Sequence, residues 1–316
     1  MEYTTTVTAN EPIAITIGNF DGIHIGHQRL MHELNLMAQT LQSKPVMVTF
    51  SPHTLMVVRP EIYVRYLTTL EEKLALAARY GNVPDHIVIS FTPDVASMSA
   101  EAFMDSLRTN FTIKGLVVGA DFSLGRNRMG DVTFLEQYGQ THTIQTRAIS
   151  LEEAANNRVS STRIRALVGE GEVISAKKLL GHPVIISGMV KYGDARGRQI
   201  GFPTANLLPD PHKLLPADGV YAVRVYVQDG PESDSNRTFT VYNGVVNIGV
   251  RPTFHKTEHL VEAHLLDADL DLYGKSITIE FVAHLRSEQR FSGIEALKAQ
   301  ITSDVQEARQ ILTTGG

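Results

Sequence analysis

Cysteine is absent from all 316 residues, which excludes disulfides and thiolate metal sites and leaves no redox reason for the chain to leave the cytoplasm. No apolar run approaches the roughly 18 residues that a membrane span needs. The opening MEYTTTVTANEP lacks a basic region followed by an apolar one, so no secretory signal is expected and the cytoplasm is the expected location. Positive charge is not in excess either. Lys and Arg number 29 against 34 Asp and Glu, a net −5 that disfavours a nucleic-acid partner. Small anions stay open, because they need only local positive charge. What is present is an ordinary globular composition, 43% hydrophobic and 20% charged, at a length beyond what one core usually supports, so two domains are expected.

Periodicity divides the chain near Gly181. Before it, β-type runs alternate with helical patterns: AITIG (14–18), a helix carrying Leu30, Leu34, Met37, Ala38 and Leu41, PVMVTF (45–50), TLEEKLALAARYG (69–81), HIVISF (86–91), SAEAFMDSLRTN (99–110) and GLVVGA (115–120). Strand alternating with helix predicts right-handed crossovers and a parallel, doubly wound α/β sheet. Ligands of such sheets bind at the carboxyl ends of strands, where GNFDG and GADFSLG stand here. One helix, roughly RIRALVGEGEVISAKKLLG, closes this half. After it come VIISGMV, GVYAVRVYV, FTVYNGVVNIGV, LVEAHLLD and SITIEFVAHL, the pattern of a small antiparallel barrel. A last helix is expected from a Ser292–Glu295 capping box, with Ile294, Leu297, Ile301, Val305, Ala308 and Leu312 on one face. The polar stretch 228–237 reads as a hairpin tip. The expected domains are 1–181 and 182–316.

GNFDGIHIGHQRL (18–30) places His24 and His27 around Gly26. Loop histidines are often merely solvated. Zinc is disfavoured, because the two stand three apart without the Glu of a helical metal pair or a third ligand nearby. His255, His259 and His264 straddle a loop and a strand and make no better cage. A phosphate site fits best: Gly22 and Gly26 admit close approach of backbone, and the following helix aims its free N–H groups at the same place. In RVSSTRIR (158–165), Ser160, Ser161 and Thr162 are natural helix caps. Arg163 and Arg165 then fall in the first turn, where the dipole disfavours cations unless an anion is bound; outward snorkelling is the alternative.

GxFDGxHxGH after a strand with a later SSTRIR resembles the nucleotidyltransferases that attack the α-phosphate of ATP. With TFSPH (49–53), LTTLEEKLAL (67–76), VVGADFSLGRNRMGD (117–131) and ISAKKLLG (174–181), the first half is similar to the FAD synthetase module of the bacterial bifunctional riboflavin kinase/FAD synthetases. KYGDARGRQIGFPTAN (191–206), NGVVNIGVRPTF (243–254) and VEAHLLDADLDLYGK (261–275) resemble that family's riboflavin kinase module. The resemblance implies a Rossmann-like domain followed by a small β-barrel. It implies ATP and Mg²⁺ at both sites, with riboflavin and FMN as the other substrates.

Within the resemblance, His24, His27 and Arg163 act in FMN adenylylation, with Gly18, Asn19, Phe20, Asp21, Gly22, Gly26, Asp121, Ser160, Ser161 and Thr162 around the nucleotide. In the kinase, Glu262 is the base, Thr204 and Asn206 hold the metal, and Gly193, Arg198, Gly201, Phe202 and Pro203 form the phosphate loop. Thr204 and Asn206 are two apart on an extended segment, so both face one side. Arg251, Thr253 and Arg286 fall to the flavin, with Glu288 and Phe291 shaping its site. The sequence departs from the family at Thr54, which bears on the loop after TFSPH and not on the histidines, and at Ala120, which bears on the adenine or ribose contact and so on the first site's activity. A flavin carrier without turnover is the non-enzyme alternative. GKS at 274–276 is no P-loop, because Asp269 stands where glycine is required and a strand follows.

Overall fold

The computed structural model describes residues 1–150, 159–192, 197, 200–229, 238–252, 257–268 and 270–314. They form two compact units, Met1–Ser161 and Thr162–Gly316.

In the first unit the expected alternation is realised as β2 (Pro12–Ile17), α1 (Ile25–Thr40), β3 (Lys44–Ser51), α2 (Thr54–Val58), α3 (Leu70–Gly81), β4 (Asp85–Ser90), α4 (Pro93–Ser97), α5 (Ala100–Asn110), β5 (Thr112–Gly119), α6 (Val132–His142) and β6 (Gln145–Ile149). The sheet order is β1-β4-β3-β2-β5-β6. Its strands are parallel except for β1 (Tyr3–Thr5), which pairs antiparallel with β4 and makes the sheet mixed. The core is the branched inner face of these strands, among them Ile13, Ile15, Val46, Val48, Ile87 and Ile89, all fully buried. Because β3 and β4 lie on one side of β2 while β5 and β6 lie on the other, the topological switch falls between β2 and β5. The two glycine-rich turns leave the carboxyl ends of these neighbouring strands, the expected place for a ligand crevice.

Two local devices hold α1 and α3 in place. Thr69 and Glu72 form a full capping box at the start of α3. Gly81, its last residue, is small because a Cβ there would collide with Met31 of α1, while Asn82 takes the left-handed turn (φ 52°). The single helix expected over 163–181 is two, α7 (Ser161–Gly169) and α8 (Val173–Leu180). Gly171, at φ 79°, breaks the run between them, and Cβ atoms are disfavoured in that conformation. Both helices cluster with the second unit from Thr162 onward, and α8 packs on β7 and β12 of the barrel.

The second unit is a closed antiparallel barrel in the order β10-β11-β8-β7-β12-β9, built from β7 (Val184–Lys191), β8 (Ala205–Leu208), β9 (Gly219–Asp229), β10 (Thr238–Pro252), β11 (Thr257–Leu265) and β12 (Ser276–Ser287). GKS indeed runs into a strand, β12. The C-terminal helix α9 (Ile294–Thr314) packs its Ala308 and Leu312 on Val220, Ala222, Val245 and Ala283 of the barrel wall. Its first turn closes with Leu297 N donating to the Gly293 carbonyl at 3.1 Å, so the helix opens one residue later than a Ser292 cap would place it. Ile294 remains exposed. Residues 230–237, most of the expected hairpin tip, lie outside the described residues. No described helix is long and apolar enough to cross a membrane.

Candidate active sites

In the first unit the loop from Gly18 to His24 leaves β2 under strong constraint. Phe20, Gly22 and Ile23 all have positive φ (49°, 88° and 40°), a costly conformation for a β-branched residue such as Ile23. It is held from several sides. Asp21, 3% exposed, accepts at Oδ1 from Thr68 N (3.0 Å) and Thr68 Oγ1 (3.3 Å), and Gly22 N donates to Thr68 Oγ1 (3.0 Å). Gln28 Nε2 donates to the Ile23 carbonyl (2.8 Å). Asn19 Nδ2 donates to Thr54 Oγ1 (2.9 Å), so the departure at Thr54 supplies a hydroxyl where proline could not. Gly18 has little room: a Cβ there would lie 3.1 Å from the Phe20 ring. Ser161 Oγ donates to the Asp21 carbonyl at 3.0 Å.

His24 is the N-cap of α1, and its Nδ1 accepts from His27 N at 3.3 Å. Accepting at Nδ1 leaves the ring proton on Nε2. The two imidazoles stack with centroids 3.6 Å apart and planes 15° from parallel, and Phe20 meets His27 edge-on at 5.1 Å. Burial, with His24 and Lys73 as further causes, holds His27 well below the ordinary histidine range. Its Nδ1 is buried without a hydrogen-bond partner. The pair therefore presents neutral imidazoles at the positive end of a helix whose first turn holds no acidic residue, a geometry suited to a phosphate. Gly26 lies in that turn. Asp121 is exposed on the turn after β5, and its carbonyl accepts from Arg128 Nη2 at 3.5 Å. Ser160 precedes α7, Thr162 and Arg163 are exposed in its first turn, and Arg165 falls just past that turn.

Sequence reasoning missed Lys73, which is 5% exposed on α3 with Nζ donating to Thr49 Oγ1 at 3.2 Å. The signal was available, because a lysine three and four residues before Leu76 and Ala77 lies on the apolar face of α3.

In the second unit, register assembles the other site. Asn206 on β8 pairs with Glu262 on β11, Glu262 with Asn247 on β10, Asn247 with Val220 on β9, and Val220 with Arg286 on β12. All five line one cavity of about 620 Å³, between the barrel wall and the first half of α9. Thr204, Phe202, Glu288 and Phe291 line it too. Asn247 was not singled out from the sequence, although cross-strand pairing makes it the neighbour of Glu262 opposite Asn206. A second cavity of about 420 Å³ is lined by Pro203, Ala205, Ala263, Leu265 and Asp271, with Tyr192 and Tyr273 stacked 3.9 Å apart at its side. The ladder of β8 and β11 is thus a partition. Asn206, Leu260, Glu262 and His264 face the larger cavity, Ala205, Ala263 and Leu265 face the smaller, and Thr204 touches both.

Gly201 (φ 92°) and Phe202 form the turn into β8, with Phe202 N donating to the Gly197 carbonyl at 2.8 Å. His264 Nδ1 contacts the Pro203 carbonyl at 2.8 Å. Arg286 is committed to the fold: its Nε and Nη2 donate to Asp304 of α9 at 2.8 to 3.1 Å, and its guanidinium lies 5.7 Å from the Phe291 ring centre. Arg251 is a residue of β10, while Gly193, Arg198, Thr253 and His255 lie outside the described residues. Among the described residues no three His, Asp or Glu gather as a metal cage. Two protein oxygens, those of Thr204 and Asn206, suit an ion that takes its remaining ligands from nucleotide phosphates and water.

Residues 6–163 match the family model of FAD synthetase, and residues 180–312 that of riboflavin kinase. The bifunctional riboflavin kinase/FMN adenylyltransferase of Escherichia coli strain K12 is 37% identical over 95% of this chain and 93% of its own. The enzymes of the same description from Listeria monocytogenes and Bacillus subtilis are each 34% identical, over 93% of this chain and 91% and 90% of theirs. A crystal structure described as a macrolide-efflux protein from Streptococcus pneumoniae shares the fold over 96% of both chains, with a TM-score of 0.83 at 28% identity. The chain belongs to the bifunctional riboflavin kinase/FMN adenylyltransferase family.

Proposed function

We propose that the two reactions are divided between the two motif sets, with the functional modules meeting near Gly181. Riboflavin and ATP react at the β8–β11 partition, and FMN and ATP at the histidine loop. The observation that carries this reading is the partition, whose two faces offer two pockets that meet at Thr204. The larger takes the flavin, with the ribityl chain along Asn206, Glu262 and Asn247. The smaller takes the nucleotide, whose adenine has the apolar wall and the tyrosine pair beside it. Glu262 accepts the proton of the 5′-hydroxyl as its oxygen bonds to the γ-phosphorus, and ADP leaves. Mg²⁺ held by Thr204 and Asn206 would neutralise charge on the phosphates. Arg286 acts through Asp304 and Phe291, fixing the wall of the flavin pocket.

At the loop, an oxygen of the FMN phosphate bonds to the α-phosphorus of ATP, and pyrophosphate leaves. His24 and His27 donate hydrogen bonds to the oxygens where charge builds, with the N-terminal end of α1 behind them. The backbone of Gly18 to Gly22 shapes the cradle, while Ser160, Ser161, Thr162 and Arg163 hold the outgoing anion and Asp121 faces the nucleoside. Little covalent chemistry is asked of the protein; orientation and charge stabilisation carry both steps. The partners are these three small molecules, in the cytoplasm of a cell whose reducing conditions a cysteine-free chain tolerates.

The test is a separation of activities. His27→Ala should lower FAD formation by at least about a hundredfold and leave FMN formation intact, and Glu262→Gln should do the reverse. Separation of flavins reads FMN formation after incubation with riboflavin, ATP and Mg²⁺, and FAD formation after a parallel incubation with FMN, ATP and Mg²⁺. Loss of both products in either folded variant would refute the division, and accumulation of FMN alone in the parent would refute an active first site.

A further inference from the structure

A buried lysine beside two histidines makes poor sense as a folding element. Lys73 occupies the face of α3 that also buries Leu76, Ala77 and Gly81, and removing its ammonium from water is costly. Its own hydrogen bond goes to a hydroxyl, that of Thr49, which is fully buried. Thr49 Oγ1 in turn donates to the Asn19 carbonyl at 3.3 Å. At the other end of the loop, Thr68 holds Asp21 and Gly22 just before α3 begins. One helix and its lead-in therefore grip the histidine loop at two points, and one of those grips carries a charge.

We propose that Lys73 is a positioning residue for FMN adenylylation, fixing the histidine loop through Thr49 and supplying buried positive charge behind it. The proposal rests on the reading that this loop is the adenylyl-transfer centre. The charged and titratable groups that face the ammonium are Asp21 from the loop and His27, stacked on His24, from the start of α1. β3 contributes the Thr49 hydroxyl, and Glu72, next along α3, is turned to the Thr69 amide. Asp21 favours the charged ammonium, but burial outweighs it and brings Lys73 down to about 8. An incoming triphosphate supplies the counter-charge that the fold itself leaves short. The same ammonium is one cause of the low His27 value, so it also helps keep that ring neutral in the resting protein.

The experiment uses the full-length chain, with FAD formation from FMN and ATP and FMN formation from riboflavin and ATP measured on the same samples from pH 6 to 10. In the parent, kcat/KM for ATP in FAD formation, which reports the free protein, should fall as pH rises through about 8, the point at which Lys73 loses its proton, while FMN formation does not follow. Lys73→Met should lower kcat for FAD formation about tenfold with KM for FMN within about twofold, and should lose the alkaline fall. Its acid limb should move to higher pH, because one cause holding His27 down is gone. Lys73→Arg should keep a flat alkaline side with more of the activity, and Thr49→Val should lower kcat yet retain the fall at about pH 8.

A parent profile without the alkaline fall overturns the inference, as does a Lys73→Met profile that still shows it. Proteolysis without denaturant, with fragments of residues 1–161 followed, reports whether the first unit of each variant is folded, and the parent profile decides even if a Lys73 variant is not. His27→Ala is assayed alongside. If it still makes FAD, the transfer-centre reading fails. If it does not, and Lys73→Met matches the parent, the role of Lys73 alone fails.

Discussion

Replacing Lys73 by methionine should stabilise the first unit at neutral pH, and the gain should disappear on the alkaline side. Burial lowers Lys73 from the ordinary 10.5 to about 8. Below about pH 8 both folded and unfolded chains hold the proton, and the folded state bears the full cost of a buried ammonium. Between about 8 and 10.5 the folded state has released it while the unfolded state still binds it, so stability rises with pH. Above 10.5 both are neutral and the cost is gone. At about 1.4 kcal/mol per pKa unit, the shift corresponds to about 3 kcal/mol at pH 7. The difference between Lys73→Met and the parent should therefore shrink by more than about 2 kcal/mol from pH 7 to pH 10. Comparing variant with parent cancels the titration of other groups. Urea unfolding read by pulse proteolysis, with fragments of residues 1–161 followed, measures the difference. A gap that stays constant with pH, or a parent more stable at pH 7 by a margin that does not change, would refute the assignment of a costly buried charge.

Two smaller perturbations test the second unit. Asp304 is 4% exposed in its side chain and accepts three hydrogen bonds from Arg286 and one from Gln300. Asp304→Ala leaves that arginine without its partner and should cost about 3 kcal/mol in urea unfolding, with early proteolytic release of α9; a loss below about 1 kcal/mol would show that the pair is dispensable. Gly249→Ala should push the Glu288 carboxylate away, because a Cβ there meets its Oε1, raising KM for riboflavin several-fold without changing FAD formation from supplied FMN. Unchanged riboflavin kinetics would place Glu288 outside the flavin pocket.

The sequence made the larger elements legible wherever one periodicity ran unbroken, as in α1, α3, α5 and the long barrel strands. It hid α6 because VTFLEQYGQTH carries Gly139 in mid-run. That glycine is required where a Cβ would strike the Thr146 side chain and the Ile144 carbonyl, a packing reason invisible one residue at a time. The two short helices after Ser160 looked like one because Val173, Ala176 and Leu180 continue the apolar spacing of Ile164 and Val168 across Gly171. Asp304 was masked by Val305, its neighbour on the same stripe. For the sites, motif residues such as His24, Thr204 and Glu262 announced themselves. Lys73, Thr68 and Asn247 did not, since their places depend on contacts between elements far apart in the chain.

The β8–β11 partition has a consequence for altering this enzyme. Side chains along a strand alternate with a period of two, so consecutive positions address different cavities: changes at Asn206 or His264 reshape one, and changes at Ala205, Ala263 or Leu265 reshape the other. The two cavities can be adjusted independently by single substitutions. A one-residue insertion in β11 ahead of Glu262 would instead exchange the faces of that strand and carry Glu262 to the wrong side, and one in β8 would do the same to Asn206, so this short stretch accepts changes of letter but not of spacing.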